Sequence, residues 1–258
     1  MKITVLSENT SINENILCEH GLSLFIETDN DKILFDMGQS DLFSINAEKL
    51  SVNLKETDIA ILSHGHYDHG GGLKEFLKIN NKAKVYINEN AFLPYYNGTE
   101  KYIGLDIKLK ESDRIIFTGD KYSINENLTL FTLNGVNKKY ELGSFGLNKK
   151  IGDNFYPDDF LHEHYLLIEE KGKKVLISGC SHKGIMDIAL YFRADYLIGG
   201  FHFSKLPLDN KLKDYADILN KSGTTFYTCH CTGVEQYKFM KQYMQKLHYL
   251  SSGSIIEI

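Results

Sequence analysis

The segment Ser63-His64-Gly65-His66-Tyr67-Asp68-His69-Gly70-Gly71-Gly72 places three imidazoles and a carboxylate between positions 64 and 69. Imidazole nitrogen and carboxylate oxygen are the donors that zinc accepts. The His-x-His step can set two rings on one ion, while Asp68 and His69 turn toward a neighbouring ion. The glycines let the backbone pass close to such a site. A solvated loop would have no use for so many donors.

A site with two ions needs further ligands, and strand ends are where they are expected. His230 follows the apolar run 225–228, Cys180 and His182 follow 174–178, and His202 follows 196–198. Each has a plainer reading. His230 fits a buried histidine bonded to backbone, Cys180 an inert core thiol, and His20 an ordinary loop histidine. His202 is assigned first to substrate contact or proton transfer and second to metal. Asp36, in Leu34-Phe35-Asp36-Met37-Gly38, is either a turn former or a brace for the ligand loop.

The elements that must carry these residues alternate. Short apolar runs at 3–7, 22–28 and 32–35 read as strands separated by turn residues such as Asp29-Asn30-Asp31. A helix at 40–50, a strand at 59–62, a helix at 70–77 and a strand at 84–87 follow, which indicates a layered α/β architecture. Residues 88–160 are rich in Asn, Tyr, Lys and Gly and read as a variable excursion covering the active site, with strand-like pieces at 114–117 and 128–133. Regular signals return with a hairpin at 165–178, a helix, a strand at 196–198, a helix at 211–219 and a strand at 225–228. A helix at 234–247, with His248 at its end on the surface, and a strand at 254–258 close the chain. With no linker or repeat, residues 1–258 are expected to form a single domain.

Composition narrows the function. The chain has 258 residues, 42% hydrophobic and 24% charged, with 15 Phe and 16 Tyr but no Trp, as an ordinary globular protein has. Its net charge of -5, with Lys spread along the chain, argues against a nucleic-acid partner. Arg occurs only at Arg114 and Arg193, too few for a multi-arginine phosphate clamp. No apolar run is long enough to span a bilayer, and the N-terminal stretch reads as a strand and a polar loop instead of a signal peptide. Four unevenly spaced cysteines suit a reducing cytoplasm. Oligomeric state is left open by the sequence.

The run His64-Gly65-His66-Tyr67-Asp68-His69 resembles the His-x-His-x-Asp-His signature of the metallo-β-lactamase superfamily, and 34–38 resembles its Asp-x-Gly element. Glu19-His20-Gly21-Leu22-Ser23, Ser178-Gly179-Cys180-Ser181-His182, Gly199-Gly200-Phe201-His202 and Cys229-His230-Cys231-Thr232-Gly233 are similar to the branch related to an archaeal dihydropterin synthase. The resemblance runs from end to end. It implies an α/β fold, the αββα sandwich of two mixed β-sheets flanked by helices. It also implies two divalent metal ions, zinc first with Mn²⁺ or Fe²⁺ as alternatives. The implied metal ligands are His64, His66, Asp68, His69, Cys180, His182 and His230, with Cys180 standing where many members carry a bridging Asp. Asp36 would brace the loop without ligating. His20, His202 and Ser181 would touch substrate, and Asp68 and His202 would be catalytic. Two segments only imitate ligand motifs: Phe117-Thr118-Gly119-Asp120 is read as a turn, and His162-Glu163-His164 as pocket wall more than ligands.

The chemistry implied is a binuclear metal-dependent hydrolase, using a metal-bound hydroxide on a small anionic ester such as a phosphoester. Helices beginning after Cys180-Ser181-His182 and after Cys231-Thr232-Gly233 would aim N–H groups at the substrate's negative charge. Two rivals stand beside it. One is a metal-dependent transferase displacing diphosphate from a dihydropterin-like substrate, on which Phe92, Tyr95, Tyr96 and Tyr102 could stack unless they are core. The other is a non-catalytic metal or ligand sensor.

Overall fold

The computed structural model describes residues 1–140 and 142–258. The chain separates into two compact units, the first formed by 1–119, 144–163 and 251–258 and the second by 120–143 and 164–250.

The first unit is built on a seven-stranded mixed sheet with spatial order Ile255–Glu257, Lys2–Ser7, Ser23–Glu27, Lys32–Phe35, Ile59–Leu62, Lys84–Asn88 and Ile115–Thr118. The first four pair antiparallel, and the hairpin between Ser23–Glu27 and Lys32–Phe35 is closed by Thr28, whose hydroxyl accepts from Asp31 N at 2.9 Å. From Lys32–Phe35 onward the pairing is parallel, which requires crossovers. Helices Leu42–Lys49 and Leu73–Ile79 supply two of them and bury Phe43, Ala47, Leu73 and Phe76 in one core with Leu34, Ala60, Leu62 and Val85. Ile59–Leu62 is buried at all four positions, as the strand before a ligand loop should be. Asn46, buried on the first helix, donates to Leu6 O and Leu17 O at 2.8 Å each and so holds the N-terminal loop to the sheet.

The second unit is also a seven-stranded mixed sheet, in the order Leu247–Tyr249, Thr225–Thr228, Tyr196–Gly199, Lys173–Ile177, Tyr165–Glu170, Leu128–Phe131 and Lys121–Ser123. The first four strands are parallel and the rest antiparallel. Helices Ile185–Phe192, Asn210–Asn220 and Val234–Lys241 connect the parallel strands. Their inner faces (Ile188, Leu212, Met240) pack with Leu176, Leu197 and Phe226 in a separate core. Asp209 caps Asn210–Asn220, accepting from Lys211 N at 3.0 Å and Leu212 N at 3.1 Å.

Two expectations are corrected. The helix expected over 234–247 stops at Lys241, and Leu247–Tyr249 is an edge strand, because pairing with Thr225–Thr228 buries Leu247 completely. Tertiary pairing overrides local helical preference here. His248 is exposed as expected, but on that strand, stacked on Tyr227 with ring centroids 5.0 Å apart. The region 88–160 is strand-rich instead of irregular. Asn154–Pro157, Leu147–Ile151, Tyr95–Asn97 and Lys101–Tyr102 form a small antiparallel sheet in the first unit. Lys121–Ser123 and Leu128–Phe131 complete the sheet of the second. Among the described residues no helix is long and apolar enough to cross a membrane.

Candidate metal centre

In the first unit the ligand loop leaves the buried strand Ile59–Leu62 and is fastened by its backbone before any side chain acts. Leu22 N donates to Asp68 O at 3.2 Å and Met37 N to His69 O at 2.7 Å. A Cβ at Gly65 would lie 2.1 Å from Ala91 O, so only glycine allows this approach. The rings of His64 and His66 lie 4.6 Å apart between centroids, and those of His64 and His69 4.1 Å apart. All three are buried.

Asp36 decides how those rings present themselves. It is fully buried with φ 59, a left-handed backbone that non-glycine residues adopt only under local constraint. Its carboxylate accepts from Ser63 N, Ser63 Oγ and His69 Nδ1, each at 2.7 Å. Because the Ser63 hydroxyl donates to Asp36, it accepts from His64 Nδ1 at 2.8 Å. Protons are thereby assigned to Nδ1 of both His64 and His69, and the ring lone pairs to Nε2. Glu19 supports the same turn, accepting from Gln39 N at 3.1 Å, Ser40 N at 3.2 Å and Ser40 Oγ at 2.6 Å.

A second carboxylate serves the other ring. Asp158 Oδ2 lies 3.1 Å from His162 Nε2 and 3.5 Å from His66 Nε2. His162 Nδ1 accepts from Gly65 N at 2.8 Å, so its proton sits on Nε2, facing Asp158. Burial pushes the Asp158 carboxyl up. Its interactions with His162 and then with His66 outweigh that and hold it well below the ordinary carboxylate range. Burial lowers His162, which suits a neutral ring accepting from Gly65. His162 therefore buttresses the ligand loop, a part not foreseen from its imitation of a ligand pair. Asp158 was missed altogether. The trace that Asp158 leaves in the sequence is its spacing of four residues from His162.

Asp68 is partly exposed at the rim. His20 Nε2 lies 3.3 Å from its Oδ2, and His69 Nε2 3.9 Å from the same atom. Phe92 and Tyr95 belong to the core, whereas Tyr102 is exposed, its ring 5.4 Å from Tyr96. Asp120 accepts from Thr132 Oγ1 at 2.8 Å and Asn134 Nδ2 at 2.9 Å, the turn expected of it.

In the second unit donors come from loops after three neighbouring parallel strands. Cys180, His182 and His230 are buried, and the rings of His182 and His202 are 4.2 Å apart. Ser181, His202 and His230 have φ of 58, 56 and 50, so each loop carries one left-handed non-glycine residue. Ser181 is fully buried and its Oγ lies 2.7 Å from Ser178 Oγ, so substrate contact through that hydroxyl requires this bond to open. The helices Ile185–Phe192 and Val234–Lys241 begin where expected, each after a glycine at positive φ. Cys231, to which the sequence motif assigns no role, is buried within 4.8 Å of the donor atoms of Cys180 and His202. Burial pushes its thiol up, but hydrogen bonds with Cys180 and His202 and the charge of His230 bring it well below the usual thiol range.

The donors fit divalent metal. Buried imidazoles with proton positions fixed by carboxylate and hydroxyl partners are the arrangement in which histidine ligates zinc, and the second unit adds imidazole and sulfur. Comparison with known proteins agrees. The model of the metallo-beta-lactamase superfamily matches residues 17–219. The chain is 31% identical to an uncharacterized protein of Methanocaldococcus jannaschii over 99% of this chain and 100% of that one. It is 28% identical to the same organism's 7,8-dihydropterin-6-methyl-4-(beta-D-ribofuranosyl)-aminobenzene-5'-phosphate synthase, over 100% of this chain and 96% of that one. A crystal structure of a metal-dependent hydrolase of the beta-lactamase superfamily superposes with a TM-score of 0.84 at 30% identity, covering 100% of this chain and 99% of the other. The fold class is the expected one, mixed sheets flanked by helices, and the chain belongs to the metallo-beta-lactamase superfamily.

Proposed function

We propose that the protein is a binuclear metal-dependent hydrolase of small anionic esters, phosphoesters among them, with His64, His66, Asp68, His69, Cys180, His182 and His230 as ligands. The observation that carries this reading is Asp36 fixing the proton positions of His64 and His69 through Ser63 and His69 Nδ1. A purely structural histidine cluster has no need of that control. Two divalent ions, zinc by donor type, would lower the pKa of water toward neutrality and neutralise an anionic oxygen. Asp68 takes the proton of the attacking water and His20 steadies its carboxylate from the rim. Asp36 and Asp158 hold the imidazoles in place while charge changes around them. A cytoplasmic setting suits four cysteines that form no disulfide.

A second reading is favoured by the 28% identity to the dihydropterin synthase over nearly the whole of both chains. Here the same residues would serve displacement of diphosphate from a dihydropterin-like substrate. Metal analysis of protein purified without chelator, followed by a panel of phosphoesters, lactones, thioesters and pterin diphosphates, tests both. About two ions per chain are expected. Stoichiometry well below one that zinc or manganese cannot restore removes both readings. Full occupancy with no turnover on any substrate leaves the sensor alternative.

A further inference from the structure

Three strands of the second unit, Lys173–Ile177, Tyr196–Gly199 and Thr225–Thr228, lie side by side in parallel, so their following loops leave from one edge of the sheet. That edge, beyond the carboxyl ends of the strands, is where parallel sheets place ligands. Each loop contributes one donor, and the ligand atoms of Cys180, His202 and Cys231 all lie within 4.8 Å of one another. Both cysteines are buried, at 3% and 6% exposure.

The backbone is arranged around the sulfur of Cys231. His202 N donates to it at 3.2 Å, and a Cβ at Gly200 would come within 2.3 Å of it, a closeness only glycine permits. A core formed for packing alone would fill this place with aliphatic groups. It would not gather two thiols and an imidazole from three separate loops.

We propose that Cys180, His202 and Cys231 form a two-sulfur, one-nitrogen site for a thiophilic divalent cation, zinc by donor chemistry, with a fourth position open. Two cysteines and one histidine with an open position is a donor set that zinc uses in enzymes. A tetrahedral ion with sulfur at about 2.3 Å and nitrogen at about 2.0–2.1 Å holds its donors roughly 3.5–3.8 Å apart. From mutual distances within 4.8 Å, reaching that separation takes side-chain shifts of at most about 1 Å. The two thiolates balance the ion's charge. The inference stands on the second unit alone: Cys180 is shared with the ligands of the proposed hydrolase, but Cys231 is not, and His202 was expected to meet substrate or move a proton before binding metal.

Cobalt(II) tests it, because thiolate ligation gives a near-ultraviolet charge-transfer band whose intensity counts sulfurs. Full-length protein stripped by chelator and titrated with Co²⁺ should show a two-thiolate band. Cys231→Ser and Cys180→Ser should each lower the intensity per bound ion to about half, and His202→Ala should weaken Co²⁺ binding about tenfold or more while keeping the band. Cys18→Ser, at an exposed position, should leave it unchanged. His64→Ala combined with His66→Ala should lower total metal but spare the band, which separates this site's fate from that of the hydrolase reading. The absence of a band in wild-type protein, or a wild-type band in Cys231→Ser, overturns the proposal. Should Cys231→Ser lose its native circular dichroism, Cys231→Ala and the ratio of wild type to Cys180→Ser decide the same point.

Discussion

In the first unit the donors come from one short loop, positions 64–69, whereas in the second they come one or two at a time from three loops about twenty or more residues apart in sequence. The supports differ accordingly. The first loop is held by carboxylates, Asp36 on one side, which sets proton positions on His64 and His69, and Asp158 on the other, beside His66 and His162. The second set is held by parallel strands and left-handed backbone at Ser181, His202 and His230. One arrangement tunes donors by hydrogen bonds, the other by where the sheet ends. Loss of a carboxylate should therefore alter chemistry in the first unit while its fold persists.

The largest effect is expected at Asp68. Asp68→Asn keeps size and polarity but removes the charge that receives a proton. Turnover should fall by about a hundredfold or more, the scale of a lost general base, with circular dichroism unchanged. Because His64 and His66 remain, metal content should drop by one equivalent at most. Near-wild-type turnover at saturating metal would mean that water is activated elsewhere.

Next comes Asp36→Asn. An amide oxygen can keep either the bond from Ser63 N or the pair from Ser63 Oγ and His69 Nδ1, but the NH₂ group then faces the remaining donor or donors. Metal affinity should fall by roughly 10–100-fold, as when the hydrogen-bond partner of a ligand histidine is lost. Isothermal titration with zinc measures it. An unchanged affinity would show that the turn alone, not the proton placement, is what Asp36 supplies.

Asp158→Asn is the milder counterpart. Its carboxylate meets His162 at 3.1 Å and His66 only at 3.5 Å, so it reaches the ligand ring more weakly than Asp36 does. A loss of zinc affinity of about tenfold is expected, the low end for such partners. An effect as large as that of Asp36→Asn would make the two braces equal.

The difference between the units also explains what the sequence could disclose. His64, His66, Asp68 and His69 are near neighbours along the chain, so a local pattern exposed them, and Asp36 was legible through its own short element. Most strands were found within a residue or two, because runs such as 59–62 are apolar at every position. Asp158 and His162 act on residues nearly a hundred positions away, with no intervening pattern to connect them. Cys231 gains its neighbours only when three strands align. The helix expected over 234–247 failed for a related reason, since Leu247 obeys its pairing with Phe226 and not its own neighbours.

The smallest effect is expected at His20, and it tests where the platform of the first unit ends. Its side chain is 56% exposed, with Nε2 3.3 Å from Asp68 Oδ2 and Nδ1 3.3 Å from Asn9 Nδ2. Water competes for both contacts, and an exposed pair of this kind contributes about 0–1 kcal/mol. If His20 only steadies the Asp68 carboxylate, His20→Ala should change kcat/KM by no more than about fivefold, the equivalent of about 1 kcal/mol. His20→Gln, which can still donate to Asp68 and accept from Asn9, should recover most of that loss. Metal content should stay at the wild-type value, because no ligand proton is set by this residue. If instead His20 contacts substrate, KM should rise in both variants while kcat holds, and the loss should vary with the substrate chosen. A fall in kcat of about a hundredfold without change in KM would place His20 among the proton-transferring groups. The rim would then belong to the chemistry, and hydrogen-bond tuning in the first unit would extend to exposed side chains.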